Sequence, residues 1–246
     1  SINSSTGALV GDDLSQRMKF DSTVNASDVV EGAALLSYGG KIAIVAEGET
    51  RIGGRIDASA ADANGTAGEI SVTGGDITLE STAEFSADGN AGGDIVVFAG
   101  GTLVVEDDAS FSAAALALGD GGFIELSGQN VHIGAVDLDL TSQFGSAGNL
   151  LVDPFDLFIG GVSTNSGASD DFSVTTNILS FGANIFLQAD NSITVVSGGV
   201  IDSRDISGGV SNSNSGSITL EAPMITLEDG SQILAGVSTG SAFMSG

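Results

Sequence analysis

The single histidine, His132, controls whether acyl-transfer chemistry is open to this chain. A Ser-His-Asp set needs an imidazole to carry protons, and the chain has no cysteine to offer a thiolate instead. His132 stands between Val131 and Ile133. The alternation that turns those two inward turns the imidazole outward, onto an open face with no evident companion nucleophile. It reads as an ordinary surface residue. Carboxylates are far more numerous. An inverting glycosidase needs two of them facing one groove at roughly 6.5–9.5 Å. Glu106/Asp107/Asp108 and Asp137/Asp139 could supply such a pair, but with no Trp and one Tyr the stacking platforms for sugars are missing. Hard oxygen ligands favour calcium over other ions. Asp88/Asn90/Asp94, Glu106/Asp107/Asp108, Asp170/Asp171 and Asp202/Asp205 are the candidates, yet none fits a nonapeptide calcium repeat or an EF-hand loop. No catalytic residue, no metal site and no cofactor is expected, calcium being the one ion the composition would suit.

Charge excludes further classes. Lys and Arg number 6 against 32 Asp and Glu, a formal charge of −26. Such a surface repels phosphate backbones and anionic bilayers, so neither a nucleic-acid partner nor membrane insertion is expected. No apolar run approaches the length that spans a bilayer. Five of the six cations (Arg17, Lys19, Lys41, Arg51 and Arg55) fall in the first 55 positions, and the sixth is Arg204.

The elements that carry these residues follow from an internal repeat. A small residue precedes an aliphatic one by two positions at Gly40/Ile42, Gly68/Ile70, Gly93/Ile95, Gly122/Ile124, Gly148/Leu150, Ala183/Ile185 and Gly216/Ile218. Successive anchors lie 28, 25, 29, 26, 35 and 33 residues apart. Each is followed by a second apolar position (Ile44, Val72, Val97, Leu126, Val152, Leu187, Leu220), then by a second alternating pair such as Ile77/Leu79 or Ile193/Val195. A weaker third position recurs at Ile56, Phe85, Phe111, Ile201 and Ile233. Period-two alternation in short strands, repeated every 25 to 35 residues, is the pattern of a parallel β-solenoid. Only two prolines interrupt it, as a continuous hydrogen-bond ladder requires. The expected fold is all-β: a parallel β-helix (β-solenoid) of about seven coils of three short strands, a rod roughly 34 Å long. Residues 39–235 form the solenoid, 1–38 an N-terminal cap or arm, and 236–246 a C-terminal tail. The longer spacings predict projecting loops at 160–180 and 202–217.

The stretch GNLLVDPFDLFI at 148–159, followed by SVTTNILSFGANIFLQADNSITV at 173–195, resembles the shafts of filamentous-haemagglutinin-type exoproteins, which leave bacteria by two-partner secretion. GGKIAIVAEGETRIGGRIDAS at 39–59 and EISVTGGDITLE at 69–80 are similar to their shaft repeats. The resemblance implies a right-handed parallel β-helix, an extracellular or cell-surface setting, and no catalytic residue. The Asn-Pro motifs of that family's secretion domain are missing: the two prolines follow Asp153 and Ala222. Absence of cysteine suits a large exported protein that stays unfolded until it is outside.

Together these readings point to an extracellular structural subunit of an adhesive shaft, cell-surface filament or biofilm fibre. The alternative is a monomeric adhesin whose protruding loops bind a receptor or glycan. A carbohydrate-active enzyme comes third, because no Lys or Arg between Ile56 and Ser203 would neutralise an acidic sugar. The cations Lys41, Arg51 and Arg55 at one end and Glu221, Glu228 and Asp229 at the other are the expected contacts of a head-to-tail self-association into filaments.

Overall fold

The computed structural model describes residues 2–3, 34–38, 40–46, 48–60, 62, 64–134, 136–159, 178–179, 182–204 and 216–235. Among them are strands and turns and no helix. The strands wind as a parallel β-solenoid with three faces. On the first face Lys41–Val45, Glu69–Gly74, the leading parts of Asp94–Val105, Phe123–Ile133 and Asn149–Ile159, then Asn184–Gln188 and Ile218–Glu221 stack in chain order. Seven rungs enclose about six turns, one fewer than the coil count expected from the anchors. At ~4.8 Å per step the ladder is about 29 Å long.

The anchor register is realised residue for residue. Ile42 pairs with Ile70, Ile70 with Ile95, Ile95 with Ile124, Ile124 with Leu150, Leu150 with Ile185 and Ile185 with Ile218. From Ile42 to Ile185 these side chains are buried. Each contributes about 1.5–3 kcal/mol by leaving water. On the third face Phe85 and Phe111 stack with ring centroids 5.2 Å apart. Leu138 and Ile178 complete that column, paired with Phe111 and Ile201. Ile178 escaped the sequence pattern because it stands beyond the first long insertion.

Two local devices turn the corners. In the middle coils the first and second faces are one continuous strand. Asp94–Val105 carries one more residue than Phe123–Ile133 at the bend, a bulge at Gly100 and Gly101 that accounts for one residue of the 29-residue spacing. Pro154, which has no N–H to give, sits at the same bend two coils after the bulge, opposite Gly128. Between the second and third faces a tight turn closes when the fourth residue's N–H donates to the first residue's carbonyl, as in Ala109 to Glu106 (3.4 Å), Gly199 to Val196 (2.8 Å) and Ser231 to Glu228 (3.1 Å). The third residue of these turns has φ of +81° at Gly198, +83° at Gly230 and +69° at Asp108. Asp108 therefore occupies a left-handed position that a β-branched side chain resists. Asp108→Val is expected to lower stability by about 1–2 kcal/mol and Asp108→Gly to lose nothing, read from thermal melts at pH 7. Equal melts for the two variants would contradict the turn geometry.

The ends of the rod differ. At the head, Ala34–Tyr38 lies antiparallel on Lys41–Val45, and Ile2–Asn3 adds parallel to Ile56–Asp57. Ile42, Ile52 and Ile56 of this first coil are buried. In the last described coil Ile225, Leu227 and Ile233 are exposed. Of the two expected loops, Ile178–Leu179 and Val200–Asp202 are strands of the third face. Residues 160–177 and 205–215 lie outside the described residues, as does the 236–246 tail. Asp202 does not project: its side chain is buried in the third-face corner.

Candidate functional site

The residues with chemical potential lie at the corners and ends of the rod, and most of them are occupied in holding it together. Arg51, outward on the second face, reaches across two coils: Nε to Glu80 Oε1 at 3.2 Å and Nη2 to Glu106 Oε1 at 3.5 Å. Glu106 also accepts the Ser81 N–H at 3.1 Å, and Glu228 accepts the Ser197 N–H at 3.0 Å in the equivalent turn. A glutamate opening the turn thus ties its coil to the preceding one. Lys41 is ion-paired with Glu69, and Arg55 Nη2 lies 2.9 Å from Asp57 Oδ2. The three head cations expected to meet another molecule all have acidic partners within their own rod. Of the tail acids, Glu228 is engaged with Ser197, Glu221 accepts the Ala189 N–H through its carbonyl, and Asp229 is exposed in the turn.

The calcium candidates do not converge. Asp88 Oδ1 accepts from Ser112 Oγ at 2.6 Å and from the Ala114 N–H at 2.8 Å in the next coil. Asn90 Oδ1 accepts the Leu118 N–H at 3.2 Å, while Asp94 is exposed on the first face. Asp170, Asp171 and Asp205 lie outside the described residues. Among the described residues no three His, Asp or Glu side chains gather where they could hold a metal ion. A corner device that the sequence reading missed explains one of these aspartates, Asp202, together with two others. Asp57, Asp139 and Asp202 each follow the inward residue of a third-face strand, and each accepts the N–H two residues on, at 2.9, 3.0 and 2.9 Å. The visible signal was Asp-x-Ser, Asp-x-Thr or Asp-x-Arg directly after a strand, an Asx turn.

His132 needs a correction. It points outward as alternation requires, but it is half-buried rather than an ordinary surface side chain. It lies in an open groove of about 450 Å³ with Ser81, Val104, Glu106, Asp107 and Asp108. Burial holds the imidazole below its ordinary pKa of 6.5, which favours the neutral ring. The stability linked to that neutral form is present above the ordinary value and is lost as pH falls through the depressed one. Three successive coils contribute to this groove, so nothing in linear order announced it.

Two aspartates titrate in opposite senses. Hydrogen bonding from Arg204, with Nη2 2.6 Å from Asp202 Oδ2 and Nε 2.9 Å from Oδ1, holds the Asp202 carboxyl below its ordinary value. This fork contributes stability above the ordinary carboxylate pKa and loses it as pH falls through the lowered one. Asp153 is held above its ordinary value, by burial first and then by the negative charges of Asp190 and Glu125. Its protonated form is the one the fold favours, so stability is lost as pH rises through that raised pKa. Asp153→Asn is expected to raise the melting temperature at pH 7, and the gain should vanish below the ordinary carboxylate value of 3.8. A gain that persists at acid pH would show that charge is not the cause.

A second groove, of about 410 Å³, opens on the outer side of the first face, lined by Phe123, Asn149, Leu151, Phe186, Gln188 and Thr219 among others. Asn184 Nδ2 donates to Asn149 Oδ1 at 2.9 Å, and Asn184 Oδ1 accepts from Ser217, so an amide ladder borders its apolar floor. No protein-family model, curated protein or solved structure matches the chain. Its class is therefore defined by its own architecture, a parallel β-solenoid.

Proposed function

We propose that the chain is an extracellular structural element, a rod segment of an adhesive shaft, cell-surface filament or biofilm fibre. The observation that supports this reading is the parallel ladder, continuous over seven rungs of the first face, with an apolar core that fills it from Ile42 to Ile201. The corner carboxylates and cations are likewise engaged in coil-to-coil bonds. A fold spent on continuity supplies length and stiffness rather than a reaction centre. The segment around Asp153 and Pro154, which resembles exoprotein shafts, lies at the bend between two faces, a structural position.

The test is made in cells that express the protein. Protease applied to intact cells should remove it, and deleting its gene should reduce attached biomass. Protein that resists external protease, with attachment unchanged, would defeat the proposal. The first-face groove favours a second reading, a glycan-binding rod. Binding of the purified protein to a panel of neutral glycans, lost in Phe186→Ala, would shift the function from scaffold to receptor.

A further inference from the structure

A turn at an early corner between the third and first faces carries a reactive pair. Asn64-Gly65 is the only Asn-Gly pair in the sequence. An asparagine side chain is open to attack by the backbone nitrogen of the residue that follows, and glycine puts no side chain in the way. Asn64 is exposed. The Gly65 N–H donates to the Asp62 carbonyl at 3.0 Å and the Asn64 N–H to Asp62 Oδ1 at 2.9 Å, closing a turn with Asp first and Gly last. Both bonds stay within the turn, so opening it disturbs no ladder. Its flanks are pinned to the next coil: the Ala60 N–H donates to the Asp88 carbonyl at 2.7 Å, and the Gly65 carbonyl accepts the Asn90 N–H at 2.8 Å. Asparagines inside the ladder are held differently. Asn130, Asn149, Asn184 and Asn191 precede Val131, Leu150, Ile185 and Ser192, which lie in parallel strand pairs. The Ile185 N–H, for example, is given to the Ser217 carbonyl at 2.8 Å. Asn90 accepts the Leu118 N–H at Oδ1 and the Gly119 N–H at its carbonyl.

We propose that Asn64 is a self-modification site, converted without an enzyme to aspartate and isoaspartate. Hydroxide takes the Gly65 N–H proton. The nitrogen forms a bond to Asn64 Cγ, the Cγ–Nδ2 bond breaks, and ammonia leaves with a proton from water, which regenerates the hydroxide. A succinimide ring remains. Water then opens it at either carbonyl. Breaking the bond from the ring nitrogen to Cγ gives aspartate. Breaking the bond from that nitrogen to the main-chain carbonyl carbon gives isoaspartate, whose chain runs through the former side chain. The balance is one water consumed and one ammonia released. Each event adds a negative charge to a chain already at −26, beside Asp62. Isoaspartate also lengthens the main chain by a methylene between the two pinned flanks, Ala60 and Gly65. The turn absorbs that change, because the buried Ile56 and Ile70 lie outside the flanks. The reaction needs only water, so the converted fraction grows with the age of the chain. The inference is independent of where the protein works.

The test is incubation of the purified, folded protein in mildly alkaline buffer, followed by peptide mapping with mass spectrometry. Residue 64 should gain the mass difference between O and NH, as two products, at a rate that rises with pH. An endoprotease that cuts before aspartate should cleave one product and spare the other. Asn130 and Asn191, exposed but followed by ladder residues, should be intact when half of Asn64 has converted. Asn64→Gln, whose longer side chain would have to close a larger ring, should abolish the early acidic drift of the intact chain on isoelectric focusing and leave the melting temperature unchanged. A parallel sample in urea separates sequence from fold. Conversion of Asn64 in urea but not in the folded rod would overturn the proposal, because the Asp62 turn would then be a lock. So would an acidic drift that persists in Asn64→Gln, or another asparagine converting first.

Discussion

Ile95→Asp should unfold the rod or nearly so. Ile95 is 0% exposed and sits between Ile70 and Ile124 in the longest inward ladder. A carboxylate there has no partner, because its ladder neighbours Ile70 and Ile124 are aliphatic and the core around them is apolar. Burying it charged is prohibitive, and burying it protonated still forfeits the packing of the isoleucine and strands a polar group. The expected loss is on the order of 4 kcal/mol or more. For a chain of this size that lowers the melting temperature by about 10 °C or more, read by circular dichroism. The neighbouring outward change Val96→Thr should move it by no more than about 2 °C. An Ile95→Asp melt indistinguishable from wild type would mean that the register is wrong.

Gly122→Ala should cost nearly as much, although it adds one methyl group and no charge. The anchor glycines stack coil on coil, and a Cβ on Gly122 would lie 2.0 Å from the Gly93 carbonyl oxygen. Gly68, Gly93 and Gly148 meet the same obstruction at 1.9, 2.0 and 2.1 Å. The obstructing atom is backbone, held on both sides by the ladder, so no side-chain rotation relieves it. About 3 kcal/mol of destabilisation is expected, at the upper end of overpacking effects. Chemical denaturation would show it as a shifted midpoint with unchanged slope. Gly48→Ala is the control, since a Cβ there meets nothing within 4 Å. If both variants denature together, close approach is not why glycine recurs at the anchors. Ala183 is the informative exception: it carries a Cβ in this column, in the coil that follows the longest spacing.

By itself the sequence determined the solenoid and its register. Period-two alternation and a fixed small-to-aliphatic offset both follow from backbone geometry: each strand must turn the same side chains inward, and each corner must let the next coil pass close. Those are local requirements, repeated in every coil, so they leave a readable trace from Ile42 to Ile218. Contacts between coils leave no such trace, because residues 25 to 35 apart become neighbours only after winding. Tertiary structure alone decided that Arg51 spans Glu80 and Glu106, that Lys41 is already paired with Glu69, and that His132 is half-buried beside residues of two earlier coils. The charge asymmetry legible in the sequence suggested two complementary ends. Winding paired the cations Lys41 and Arg51 with acids of the coils that follow, while Arg55 meets Asp57 within its own strand.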